Sequence, residues 1–243
     1  MRDALLDIVQ HTHNLGVLDL VKITGTDKET TISAIAEDRS VVLDAVFHNP
    51  VADFIGVFGM PNLGKLNTIL NLPVYQEDAK LTISRQTNNG VAEPAGIHFE
   101  TKVGDFKNDY RFMNSSTVNV KVPTTKFKGV KWGVEFEPSV LGIQRFAYQC
   151  QANSEETTFI AKTEGSDLKF YFGDTNNHAG NFIFMNGING NVTKAWNWPV
   201  GVVKSILGLP GDKLMRFSDE GAAQITVDSG IAVYNYTIPA QQK

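Results

Sequence analysis

The chain is short of cysteine: among 243 residues, Cys150 stands alone. One thiol excludes an internal disulfide framework and a cysteine-cluster zinc site. Its expected role is that of a small buried hydrophobe. Long apolar runs are lacking too, and nothing approaches the roughly 18 residues of a membrane span. The stretch 1–16 carries Asp3 and Asp7 inside its apolar run, which a secretory leader would not tolerate. These absences place the chain, as an expectation, in a reducing cytoplasm, and the Asn-x-Ser/Thr triplets at Asn114, Asn191 and Asn235 are then without consequence. A strong charge of one sign is missing: 22 Lys+Arg stand against 26 Asp+Glu, for a net −4. That excludes a uniformly basic protein that coats nucleic acid. What is present is 42% hydrophobic residues, enough for a real core and too many for a disordered chain.

Catalytic constellations are also lacking. Gly59 to Leu66 fits a phosphate-binding loop until its last position, where Leu66 replaces the hydroxyl residue that holds magnesium. Pro61 removes a backbone N–H from a segment that would need to offer N–H groups. His11 and His13 are two apart and point to different helix faces, while His48, His98 and His178 are scattered. No Gly-x-Ser-x-Gly elbow occurs. The expectation is a non-enzyme with no metal and no cofactor.

Most of the chain reads as β-strand. Runs rich in β-branched and aromatic residues cover 17–24, 30–36, 41–47, 54–58, 81–84, 97–102 and 110–113. The second half repeats the style at 157–163, 168–172, 182–185, 214–217, 224–227 and 231–238. Period-2 alternation, as in Leu168, Phe170 and Phe172, indicates half-buried antiparallel strands. Four amphipathic segments interrupt them and predict short helices over 2–13, 62–72, 139–151 and 199–207. In the third, Val140, Ile143, Ala147 and Cys150 form the expected apolar stripe. Helices this short need a sheet to pack on.

The helices recur. Positions 63–73 lie on 200–210 with identities at Gly64/Gly201, Ile69/Ile206, Leu70/Leu207, Leu72/Leu209 and Pro73/Pro210. The first helix recurs at nearly the same spacing, Leu5 on Leu141, and the strand at 81–84 is matched with that at 224–227. A period this long means two similar domains rather than a solenoid. The polar, Pro123-interrupted stretch 114–128 reads as an extended connector. The division is a first domain over 1–118, a connector over 119–128 and a second domain over 129–243. The first part, 1–118, has more acids than bases, and the rest is nearly balanced.

The polar helix faces are poor in acids. They carry Arg2, Lys65, Arg145 and Lys204 among Asn67, Thr68, Gln144, Gln149, Gln151 and Ser205, with Asp3 and Asp7 confined to the first helix. Such faces suit phosphates contacted without reading of bases.

Two tandem domains, each with two short helices on antiparallel strands, resemble the sliding-clamp fold of DNA polymerase processivity factors. The likeness is to the clamps of T-even-type tailed phages and their marine relatives. It is carried by the strand-then-helix run from Val134 to Ala147, with Arg145 on the helix, and by the terminal run from Ala232 to Ala240 with its Pro-Ala tail. The resemblance implies an α+β fold with antiparallel sheets outside and helices inside, closed as a homotrimeric ring. The ring would encircle double-stranded DNA without sequence preference, tether the replicative DNA polymerase, and be loaded by an ATP-dependent clamp loader. Arg2, Lys65, Arg145 and Lys204 would face DNA. Val120, Val122, Pro123, Tyr236, Pro239 and Ala240 would surround a pocket for partner tail peptides. The alternative reading of the same strands is a β-rich ring of a phage tail tube.

Overall fold

The computed structural model describes residues 1–76, 78–88, 90–123, 129–173 and 178–241. The chain forms two compact units. The first comprises residues 1–37, 43–126 and 229–234, and the second 38–42, 127–228 and 235–243.

The first unit runs α1 (Arg2–His11), β1 (Leu20–Gly25), β2 (Thr30–Ile35), β3 (Val42–Phe47), β4 (Gly56–Pro61), α2 (Leu63–Leu70), β5 (Lys80–Asn88), β6 (Val91–Glu100), β7 (Lys107–Arg111) and α3 (Ser115–Lys121). The second runs β8 (Val134–Phe136), α4 (Val140–Ala152), β9 (Thr158–Glu164), β10 (Asp167–Gly173), β11 (Ala179–Met185), β12 (Asn197–Pro199), α5 (Val200–Leu207), β13 (Asp212–Phe217), β14 (Ala222–Asp228) and β15 (Ala232–Pro239), of which residues 232–234 count with the first unit. From α1 and from α4 the order is the same: helix, four strands, helix, three strands.

Pairing repeats with it. The order β4-β1-β2-β3 is matched by β12-β9-β10-β11, and β5-β6-β7 by β13-β14-β15. The partners are antiparallel, as in Ile23 opposite Phe58 and Ile160 opposite Asn197. The expected match of 81–84 with 224–227 is corrected: β13, not β14, is the strand that follows α5 as β5 follows α2. The spacer shrinks from 71–79, which holds a 3-10 turn at Pro73–Tyr75, to 208–211.

Two further expectations change. The stretch after Asn114 is not extended throughout: Ser115–Lys121 is helical, with the Asn114 side chain accepting from the Thr117 N–H at 2.9 Å. Val118 and Val122 give it an i, i+4 apolar edge, and both are buried. Residues 124–128 of the expected connector lie outside the described residues. In α4 the buried stripe is Gly142, Phe146 and Cys150, rotated from the expected one, and Val140 is left 73% exposed. The cause is a phenylalanine cluster beneath the helix. Phe146 lies 5.1 Å from Phe159 and 5.7 Å from Phe170, which stacks on Phe184 at 4.3 Å. Aromatic rings bury more surface than the aliphatic stripe and settle the rotation.

The first unit is completed from far along the chain. Asp7, on α1, is buried, although its sequence position suggested a solvated face near the helix start. Its Oδ2 accepts from the Tyr234 hydroxyl at 2.7 Å and from the Ser229 hydroxyl at 3.0 Å. His11 lies one turn on and stacks on Tyr234, with ring centroids 4.5 Å apart. A buried carboxylate is tolerated only when donors surround it, as here.

Candidate functional site

In the first unit α1 packs on α2. Leu5, Ile8 and Val9 of one and Leu63, Leu66, Ile69 and Leu70 of the other are buried. Lys65 and Thr68 are left exposed on α2. Arg2 is half-buried and engaged: its Nη2 donates to the Leu70 carbonyl at 2.6 Å, so it caps the last turn of α2. A cation at a helix C-terminus meets the negative end of the dipole. The structure therefore gives Arg2 a bracing task, and Lys65 remains the exposed cation of these two helices.

In the second unit α4 packs on α5 and on β11. Gly142 makes the latter approach possible, because a Cβ there would lie 2.7 Å from the Phe184 carbonyl oxygen. The outward face of α4 carries Leu141, Gln144, Arg145 and Tyr148, all exposed, and α5 exposes Lys204. Lys204 lies near enough to Cys150 to oppose the effect of burial, which still pushes that thiol up to about 11. Among the described residues no ion pair engages Lys65, Arg145 or Lys204, so each keeps its charge available to an outside anion.

Of the residues expected around a peptide pocket, Val120 (80% exposed) and Pro123 are exposed in the first unit, and Val122 is buried there. In the second unit Tyr236 is fully buried, Pro239 is exposed and Ala240 half-buried. Val122 and Tyr236 are thus packing residues, each within its own unit. The Ala240 N–H donates to the Gly221 carbonyl at 2.9 Å, which holds the tail against the β13–β14 turn.

That turn is itself stiffened by Asp219. Burial pushes its carboxyl up, but N–H groups of Lys194 and Thr193 and the Thr193 hydroxyl outweigh it and leave the carboxyl below its ordinary value. Sequence reasoning missed Asp219, since its donors lie about 25 positions away with no motif to mark them.

The phosphate-loop resemblance dissolves. Gly59, Met60 and Pro61 belong to β4, and the Gly59 N–H donates to the Met113 carbonyl at 2.9 Å. Among the described residues no group of three or more His, Cys, Asp or Glu side chains is placed to hold a metal. Among the described residues no helix is long and apolar enough to cross a membrane.

The repeated order of elements decides the comparison with solved structures. The fold is that of a sliding clamp. One similar structure is the A. fulgidus PCNA bound to the C-terminal region of FEN-1: TM-score 0.69 and 9% identity over 100% of this chain and 97% of that one. Another is PCNA from Thermococcus kodakaraensis: TM-score 0.68 and 10% identity over 98% and 97%. No protein-family model and no curated protein sequence matches the chain. The clamp architecture, two tandem α+β domains with antiparallel sheets and a few short helices, is therefore shared across the full length at an identity where only the fold is carried.

Proposed function

We propose that the chain is the subunit of a homotrimeric sliding clamp of the T-even-phage type. In this reading it is a non-catalytic ring in the host cytoplasm. It encircles duplex DNA and tethers the replicative polymerase for processive synthesis after an ATP-dependent loader has opened it. The observation that carries this reading is the full-length clamp fold with exposed, acid-poor helix faces bearing Lys65, Arg145 and Lys204.

Retention by encirclement asks little of those cations. Few phosphate contacts make a shallow dependence on salt, since each adds a slope of only about −0.9. Ring closure is supported by two strand edges. β7 and β11 each end a sheet. Beside β7 a depression of about 340 Å³ is lined by Pro61, Tyr110, Phe112 and Met113, with Lys65 and Arg111 among its lining cations. In the other unit α4 exposes Leu141 (54%) and Tyr148 (68%). A head-to-tail contact between unlike surfaces of identical subunits closes into a ring when the rotation fits. Exposed Val120, Pro123 and Pro239 and half-buried Ala240 are the residues offered to partner tail peptides, a role that the FEN-1 segment bound to the archaeal PCNA supports.

The test is retention on DNA. Loaded onto a nicked circle, the protein should stay through gel filtration and leave when the circle is cut. Loss at the same rate from both forms refutes encirclement. A tail-tube protein would instead give stacked tubes by electron microscopy and no effect on polymerase.

A further inference from the structure

One lysine sits where its strand position does not put it. In β1, Val21 and Ile23 point into the core, so Lys22 belongs to the opposite face, with exposed Thr24. That face should be wet, yet Lys22 is 4% exposed. The cover is α3. Lys22 Nζ donates to the Val122 carbonyl at 2.8 Å, across 100 positions of sequence. The helix is seated there by Val118 and Val122 and fixed at its start by the Asn114 cap. Gly59 stands opposite Lys22 in the β1–β4 register and makes room, since a Cβ there would lie 2.8 Å from Val118 Cγ2. On the other side Ser33 stands opposite Lys22, and its hydroxyl donates to Asp44 at 3.3 Å.

Burial lowers the Lys22 ammonium from its ordinary value, and attraction to Asp44 opposes this. A buried cation is costly unless it is hydrogen-bonded and has opposite charge near it. A helix C-terminus, with carbonyls left over and the dipole's negative end, is a fitting place for one. The bonded carbonyl is also a particular one. Val122 directly precedes Pro123 and lies two residues after Val120, the two exposed residues of the first unit assigned above to peptide binding.

We infer that Lys22 is a positioning residue for partner-peptide binding: by holding the Val122 carbonyl from beneath, it fixes α3 and so sets where Val120 and Pro123 are displayed, without touching the peptide. The inference rests on the peptide-binding reading of those residues.

The test uses Lys22→Met, which keeps the length and removes the charge and the donor, in the full-length protein. Hydrogen exchange is measured over 115–122, together with affinity for a fluorescein-labelled C-terminal peptide of the DNA polymerase from the same source. Exchange at 118–122 should quicken at least tenfold with β1 and β2 still protected. Peptide affinity should fall about tenfold with subunit assembly unchanged, and Lys22→Arg should recover part of it. Unchanged exchange overturns the inference, and so does faster exchange with unchanged affinity. If Lys22→Met does not fold, Asn114→Ala loosens the same helix from its other end and is judged by the same two readings. Failure of the wild-type protein to bind the peptide would sink the peptide reading instead, while the exchange result would still judge the hold of Lys22 on α3.

Discussion

At the scale of single residues, the structure separates side chains that look alike in sequence. Arg2 and Lys65 are both cations on a polar helix face, but only Lys65 is exposed, and Arg2 braces Leu70. Arg2→Ala should cost about 1–2 kcal/mol in urea unfolding, the loss of a charge-assisted hydrogen bond. It should leave the salt dependence of DNA retention as it was. Cys150 is protonated at pH 8, because burial holds its thiol near 11. Iodoacetamide should therefore modify it far more slowly in the native protein than after unfolding, since the thiolate is the reactive form. A rate equal to that of free cysteine would contradict its burial. Asp219 is the acid-sensitive residue of the β13–β14 turn. Its folded carboxyl is below its ordinary value, so its stabilisation is complete above the unfolded value and is lost as pH falls through the folded one. Asp219→Asn should flatten the acid limb of a thermal-stability profile in the window below about pH 4.

At the scale of elements, two glycines set how close the helices come. Gly142 admits the Phe184 carbonyl oxygen, and Gly142→Ala should cost about 1–3 kcal/mol through overpacking, read by chemical denaturation. How much of this was legible depends on whether the signal was local. Leu5, Ile8 and Val9 on α1, and Leu63, Leu66 and Ile69 on α2, follow from periodicity alone and are buried as read. The stripe on α4 was misjudged because its rotation is set by rings from β9, β10 and β11, which no window along the helix contains. The helix over Ser115–Lys121 was hidden by β-branched and polar residues. Its support lies on β1 and β4, in Lys22 and Gly59, far from it in sequence. The exposed cations Lys65, Arg145 and Lys204 were legible because a helix face free of acids is a local pattern.

At the scale of the whole molecule, net charge and local charge point in different directions. The chain is −4 overall, yet the exposed faces of α2, α4 and α5 hold cations without acids among them. Reversing Lys65, Arg145 and Lys204 to Glu should shorten the tracts made by a tethered polymerase severalfold, with the particle mass in light scattering unchanged. A fall in mass would assign those residues to assembly instead. The repeated order of elements at 9–10% identity to archaeal PCNA shows how little sequence the architecture demands. It asks for alternation in the strands, two amphipathic helices per domain and small residues where helix meets sheet.

The pairing of Asp7 with Ser229 and Tyr234 has a consequence in time. Their separations are 222 and 227 residues, so the hydroxyls that hydrogen-bond Asp7 are synthesised long after it. While the chain is still growing, α1 must keep its carboxylate in water. The first unit then reaches its final form only after residues 229–234 have been made. A chain stopped after Asp228 should lose order at its beginning as well as at its end, which limited proteolysis of the truncated protein would reveal as cuts within residues 2–15. Folding of the first unit thus waits on a segment far downstream, and a chain that lacks residues 229–234 has no finished first unit.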